Sequence, residues 1–222
     1  MRIDLISGTA AELALPEGDA TRGVVIVPDI FGLRPLFDDL SARLASEHGW
    51  AVCAIEPFPG QRLETIEDRF DAVPLLQDSR IVADTQAAAG VLTERAGCSR
   101  VAVMGFCMGG MFALKAVASG RFDKAVSFYG MIRIPLMWRG AGLAEPLEVL
   151  RDSPPRPILA IIGQKDPYTP KEDVVALRDL GANVSVVSYV DAEHGFVHDP
   201  DRPAHRPGDA ADAWGRAVAF LA

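Results

Sequence analysis

Short runs of β-branched and aliphatic residues, recurring between longer stretches of helical periodicity, constrain this chain more than any other feature. The runs are Gly23–Val27, Trp50–Ile55, Val101–Phe106, Lys124–Tyr129, Pro157–Ile162 and Val184–Val190. Most are continuously apolar rather than alternating, the pattern of strands covered on both faces. The intervals read as helices. Leu36–Glu47 carries Leu36, Leu40 and Leu44 on one face, and Ser79–Arg95 follows a cap at Asp78 or Ser79. Met108–Ala118 is a third helical stretch, and Ala210–Leu221 closes the chain. Thr169-Pro170-Lys171-Glu172 has the form of a capping box with proline at the first helical position, so a helix is expected to about Leu180. This alternation predicts an α/β fold with a mostly parallel central sheet flanked by helices on both faces. Ile3–Ile6 and Glu12–Leu15, around Ser7-Gly8, predict an antiparallel hairpin at one sheet edge. Phe58–Gln77 and Ile132–Pro157 read as irregular excursions or short helices over the C-terminal edge of the sheet, where open α/β folds bind ligands. The strands flanking them are too regular for a domain boundary, so residues 1–222 are expected to form a single domain.

Bulk properties exclude several function classes. A net charge of -8 without a basic run disfavours nucleic acid and anionic membranes. No apolar run approaches the roughly 18 residues of a membrane span. Three cysteines without CxxC spacing give neither a disulfide framework nor a zinc site, which suits a reducing compartment. Met1-Arg2-Ile3-Asp4 puts charge where a signal peptide would be apolar, so a cytoplasmic location is expected. There is no Gly-rich phosphate loop and no metal-ligand cluster; no cofactor and no metal are expected. The expected partner is a small molecule, bound by a monomer or weak dimer.

The chemistry is concentrated in Gly105-Phe106-Cys107-Met108-Gly109, a G-x-C-x-G sequence ending one predicted strand and opening the next helix. This is the nucleophile-elbow pattern with cysteine in place of serine. A turn this sharp forces the central residue into a strained backbone, and side chains two positions away would clash, hence the paired glycines. The sulfur is then held clear of the sheet over a helix N-terminus whose dipole favours a thiolate. Two partners follow in the order the elbow requires, acid then base. Asp166 comes after the fifth of the six runs in Gly163-Gln164-Lys165-Asp166-Pro167, and His194 after the sixth in Ala192-Glu193-His194-Gly195-Phe196. Both lie just past strand C-termini, so Cys107, Asp166 and His194 can converge over one edge as a catalytic triad.

With these residues in place the chain resembles the dienelactone hydrolase (carboxymethylenebutenolidase) family of the α/β-hydrolase superfamily. The resemblance rests on Val27-Pro28-Asp29-Ile30-Phe31-Gly32-Leu33, the cysteine elbow with Gly110, Phe128-Tyr129-Gly130, Gly163-Gln164-Lys165-Asp166 and His194-Gly195-Phe196. Arg206-Pro207 and Asp212-Ala213-Trp214 also look familial. The resemblance implies an α/β-hydrolase fold and hydrolysis of a small ester, lactone or enol-lactone through an acyl-cysteine. It also implies an oxyanion hole formed by the backbone N–H groups of Ile30 and Met108.

Two positions depart from the family pattern. Asp29 stands where family members often carry a glutamate that interacts with the resting thiol, so modulation of the thiol is its expected role. His198 stands where an arginine that holds a substrate carboxylate would be. His198 itself, with Phe31, Arg80 and Trp138, is expected to contact substrate. Arg202, Arg206, Arg34, Arg80, Arg133 or Arg139 could take the arginine's part instead.

Two other functions fit parts of the sequence. A ligand-binding protein on the same scaffold would keep the fold without turnover. A thiol redox sensor would need a resolving cysteine near Cys107. Cys53 reads as buried in a strand, and Cys98 as an exposed turn residue at the far end of the elbow strand.

Overall fold

The computed structural model describes residues 1–222, all of the chain. Its centre is an eight-stranded sheet: β1 (Arg2–Asp4), β2 (Ala10–Ala14), β3 (Arg22–Val27), β4 (Trp50–Ile55), β5 (Val101–Phe106), β6 (Ala125–Phe128), β7 (Ile158–Gly163) and β8 (Val184–Tyr189). The spatial order is β1-β2-β4-β3-β5-β6-β7-β8. β1 and β2 form an antiparallel hairpin, β2 is antiparallel to β4, and every later pairing is parallel. This is the α/β-hydrolase fold that the sequence predicts.

The central strands β3, β4, β5, β6 and β7 are buried at every residue, which explains their largely apolar sequences; Arg22 at the start of β3 and Ser127 in β6 are buried polar exceptions. Helices α1 (Pro35–His48) and α7 (Pro207–Leu221) cover one face of the sheet. The other face carries α3 (Asp78–Ala96), α4 (Met108–Ala118), α5 (Pro146–Arg151) and α6 (Lys171–Arg178). Trp214 of α7 packs on Phe106 and Phe128, at ring separations of 5.9 and 5.1 Å, joining that helix to β5 and β6. No helix is long and apolar enough to cross a membrane.

The two excursions fold as short helices. Phe58–Gln77 contains α2 (Ile66–Ala72) and a single 3-10 turn, Val73–Leu75; Ile132–Pro157 contains a 3-10 turn, Leu136–Trp138, and α5. The capping box lies at α2 and not at α6. The Asp68 N–H donates to Thr65 Oγ1 and the Thr65 N–H returns to Asp68 Oδ2. At α6 the cap is Pro170, and the Thr169 hydroxyl is buried without a partner. The Thr169 backbone N–H bonds back to the Asp166 carbonyl at 3.3 Å, so this residue belongs to the Asp166 turn and α6 begins a residue later than its sequence suggests.

Candidate active site

Cys107 joins β5 to α4 with φ 57° and ψ -121°, a left-handed conformation that costs a non-glycine residue on the order of 1–3 kcal/mol. The surroundings enforce it. A Cβ on Gly105 would lie 2.0 Å from the carbonyl oxygen of Gly109, and one on Gly109 would lie 2.0 Å from that of Val27. Both positions therefore admit only glycine. β5, α4 and the end of β3 meet here backbone to backbone.

Asp166 and His194 arrive from the turns after β7 and β8. His194 Nδ1 donates to Asp166 Oδ2 at 2.8 Å, while Asp166 Oδ1 accepts the backbone N–H of Tyr168 at 2.8 Å. With Nδ1 committed, Nε2 is the free nitrogen; it is buried and has no hydrogen-bond partner of good geometry. Burial lowers the imidazole pKa, but negative charge on the Cys107 sulfur and the hydrogen bond and charge of Asp166 outweigh it. The result is a rise to about 10. A proton on His194 is thus stabilised whenever the sulfur is anionic. Cys107 keeps 7% of its surface exposed and the His194 side chain 12%.

The imidazole is also packed against two tyrosine rings. Tyr129 meets it edge-on at 5.2 Å and Tyr168 at 5.0 Å, with interplanar angles of 67° and 71°. Trp138 stacks on Tyr168 at 6.5 Å and touches Phe70 of α2 at 5.9 Å. Trp138 is buried, and its indole Nε1–H has no acceptor.

The loop after β3 is built around Asp29. Its Oδ1 accepts the Phe31 N–H, and the Gly32 N–H bonds the Asp29 carbonyl, closing a tight turn in which Gly32 has φ 73°. The turn leaves the Ile30 N–H without an acceptor, while the Ile30 carbonyl is held by Arg69 Nη1 at 3.1 Å. The Leu33 and Phe58 N–H groups are gathered by the Glu56 carboxylate, whose pKa burial raises and those two donors partly restore. Met108 is the first residue of α4, so its N–H has no acceptor within the helix. Two N–H groups on rigid backbone are therefore left without an acceptor, one at the start of α4 and one in the loop after β3, whose Val27 and Pro28 carbonyls abut Gly109.

Three predicted contacts, and the expected exposure of Cys98, turn out differently in the structure. Asp29 makes its hydrogen bonds away from the thiol: its oxygens are taken by Phe31 N–H, by Arg34 at 2.6 and 3.0 Å, and by His198 Nε2 at 2.8 Å. Burial would raise its pKa, but His198 and then Arg34 outweigh that and hold it at about 2. His198 does not reach a substrate: its side chain is fully buried between Phe37 and Phe106, with Nδ1 bonded to the Tyr129 hydroxyl. Arg80 is tied to Asp84, Thr9 Oγ1 and the Ser7 carbonyl beside the β1–β2 hairpin, with β4 and β3 between it and β5. Cys98 is buried rather than exposed, at the opposite end of β5 from the elbow. Phe31, by contrast, is 38% exposed next to Ile30.

The arginines divide clearly. Arg34, Arg133, Arg139 and Arg206 pair with Asp29, Asp173, Glu145 and Asp209. The Arg202 guanidinium has no acceptor and packs over Gly195, where Nη1 would lie 2.6 Å from a Cβ. Tyr129, Tyr168 and Arg69 were not singled out for the site by sequence. Tyr129 had only its place in Phe128-Tyr129-Gly130, and Tyr168 only its place two residues past Asp166.

The profile of the dienelactone hydrolase family matches residues 9–222. The chain belongs to the dienelactone hydrolase family. It is 28% identical over 207 residues to a Bradyrhizobium protein provisionally named 2-oxo-3-(5-oxofuran-2-ylidene)propanoate lactonase, covering 89% of this chain and 82% of that one. It is 30% identical over 211 residues to an Escherichia coli protein provisionally named carboxymethylenebutenolidase, covering 89% and 75%. A Klebsiella pneumoniae structure solved under the provisional name dienelactone hydrolase superposes with a TM-score of 0.85 at 25% identity, covering 100% of this chain and 98% of that one. This dienelactone hydrolase family member is accordingly a hydrolase of esters or lactones. Two other clefts, of 360 and 450 Å³, lie beside α6 and at the N-terminal end of the sheet; Cys107 lines neither.

Proposed function

We propose that the chain hydrolyses a small ester or lactone by nucleophilic catalysis at Cys107, with His194 as acid and base and Asp166 as its orienting carboxylate. The observation that carries this reading is the strained, glycine-enforced Cys107 elbow beside an imidazole whose Nδ1 is fixed by Asp166. The sulfur, its proton passed to His194 Nε2, attacks the acyl carbon. The carbonyl π-pair moves to oxygen, and the resulting oxyanion accepts hydrogen bonds from the Ile30 and Met108 N–H groups; such donors are worth roughly 3–4 kcal/mol each in the transition state. Collapse breaks the acyl C–O bond, and the leaving oxygen takes the proton from Nε2. Water then attacks the acyl-cysteine, giving up a proton to Nε2, and the thiolate leaves. In a lactone the alcohol stays on the same molecule, so the product is a hydroxy acid or its keto tautomer.

The substrate we favour carries a carboxylate, because Arg202 is the arginine near His194 without a carboxylate of its own. Phe31, exposed beside Ile30, supplies apolar surface, while Trp138 is buried and supports Tyr168 from behind. Thiol redox sensing lacks support: Cys53 is fully buried in β4 with its pKa pushed by burial to about 12, and Cys98 is buried at the far end of β5. Replacement of Cys107 by alanine tests the reading. Loss of p-nitrophenyl acetate and lactone hydrolysis with the fold intact is expected, and turnover that survives the change overturns it.

A further inference from the structure

Behind the Cys107–His194–Asp166 group lies a second buried chain of polar side chains that the reaction does not use. Arg34 binds Asp29 at 2.6 and 3.0 Å, Asp29 accepts His198 Nε2 at 2.8 Å, and His198 Nδ1 meets the Tyr129 hydroxyl. His198 and Asp29 side chains are 0% and 1% exposed, and Tyr129 is fully buried. Such an array is costly unless every member is satisfied, and here each one is.

The protons in the chain have one arrangement. Asp29 is held at about 2 and is ionised, burial lowers the His198 pKa and keeps it neutral, and burial drives Tyr129 well above its usual range. His198 therefore donates from Nε2 to Asp29 and accepts the Tyr129 O–H at Nδ1. The Tyr129 hydroxyl is locked in one direction and its ring in one orientation, with φ 38° at its own backbone.

The two ends of the chain are what give it a use. At one end the Tyr129 ring packs against His194 at 5.2 Å, as Tyr168 does at 5.0 Å. At the other end Asp29 shapes the turn that frees the Ile30 N–H. We infer that Arg34–Asp29–His198–Tyr129 is a positioning relay that ties the Ile30 oxyanion donor to the His194 imidazole, so that the two keep one spacing about the Cys107 sulfur. The inference rests on the reading under Proposed function. Tyr129 and His198 are positioning residues: they touch the imidazole, or each other, and not the reacting atoms.

The test is a double-mutant cycle between the ends, Tyr129→Phe and Asp29→Asn, with kcat, KM and Tm measured for each. Tyr129→Phe removes one oxygen and keeps the ring. Misplacement of this kind costs about tenfold to a hundredfold in kcat, and KM should move less than about twofold. A merely structural hydroxyl would lower Tm and leave kcat, measured well below Tm, unchanged. If the relay acts as a unit, the double variant loses no more kcat than the worse single variant. If Asp29→Asn is not recovered folded, Arg34→Gln replaces it at the same end. Unchanged kcat in Tyr129→Phe, or losses that multiply in the double variant, overturn the inference. Cys107→Ala separates this outcome from the parent reading: an inactive Cys107→Ala with a wild-type Tyr129→Phe sinks the relay alone, and an active Cys107→Ala sinks the parent reading.

Discussion

His194 Nδ1 and Asp166 Oδ2 stand 2.8 Å apart, a hydrogen bond that joins the turns following β7 and β8. The bond fixes the tautomer and turns Nε2 away from Asp166. Asp166→Asn would present an N–H to Nδ1, or reverse the tautomer, without changing shape. By analogy with the corresponding change in serine triads, kcat should fall about 10³- to 10⁴-fold with little change in Tm. Ester hydrolysis by the purified variant, with its melting curve, checks this; a loss of tenfold or less would contradict the role given to Asp166.

Gly105→Ala should be the most damaging small substitution in the elbow, because the new Cβ meets a backbone oxygen at 2.0 Å and no side chain can yield. A loss of about 3 kcal/mol or more is expected, on the order of 10 °C in Tm, or failure to express as soluble protein. An active variant with wild-type Tm would contradict the packing described for β5 and α4.

Arg202→Met should separate substrates. Charge-assisted hydrogen bonds are worth roughly 1.5–3 kcal/mol, so KM for a carboxylate-bearing lactone should rise about tenfold to a hundredfold. Hydrolysis of p-nitrophenyl acetate, which has no carboxylate, should change by less than about twofold. Equal effects on both substrates would show that Arg202 supports the fold and not the ligand.

Acid stability should report on Asp29. Its folded-state pKa of about 2 lies below the ordinary 3.8, so the carboxylate stabilises the fold above pH 3.8, and that contribution disappears as pH falls through 2. The shift corresponds to something on the order of 2 kcal/mol. The stability difference between the wild type and Asp29→Asn, followed by urea unfolding, should be full at pH 5 and shrink between pH 4 and 2. A difference that stays constant over that window would contradict the ion pair.

Much of this was legible in the sequence, for a definite reason. Strands buried on both faces need continuous apolar runs, and a strand-to-helix elbow needs glycines at fixed spacing, so β5, α4 and Cys107 are local patterns. Boundaries were less secure. Thr169 has the spacing of a cap but is consumed by the Asp166 turn, and Thr65, whose partner three residues on is Asp68 rather than Glu or Gln, forms the box that the sequence did not reveal. The misplaced contacts are non-local. Asp29 and His198 are 169 residues apart, and nothing in either neighbourhood indicates that they meet. Likewise Arg202 differs from Arg34, Arg133, Arg139 and Arg206 only in finding no carboxylate once the chain is folded.

The central claim is a covalent bond between the acyl group and one sulfur. Rapid mixing with p-nitrophenyl acetate, acid quenching and peptide mass analysis test it directly. One acetyl group on the peptide containing Cys107, appearing within the first turnover and lost in Cys107→Ala, is the predicted result. Full turnover with the acetyl group on another residue, or with Cys107 never modified, would contradict it.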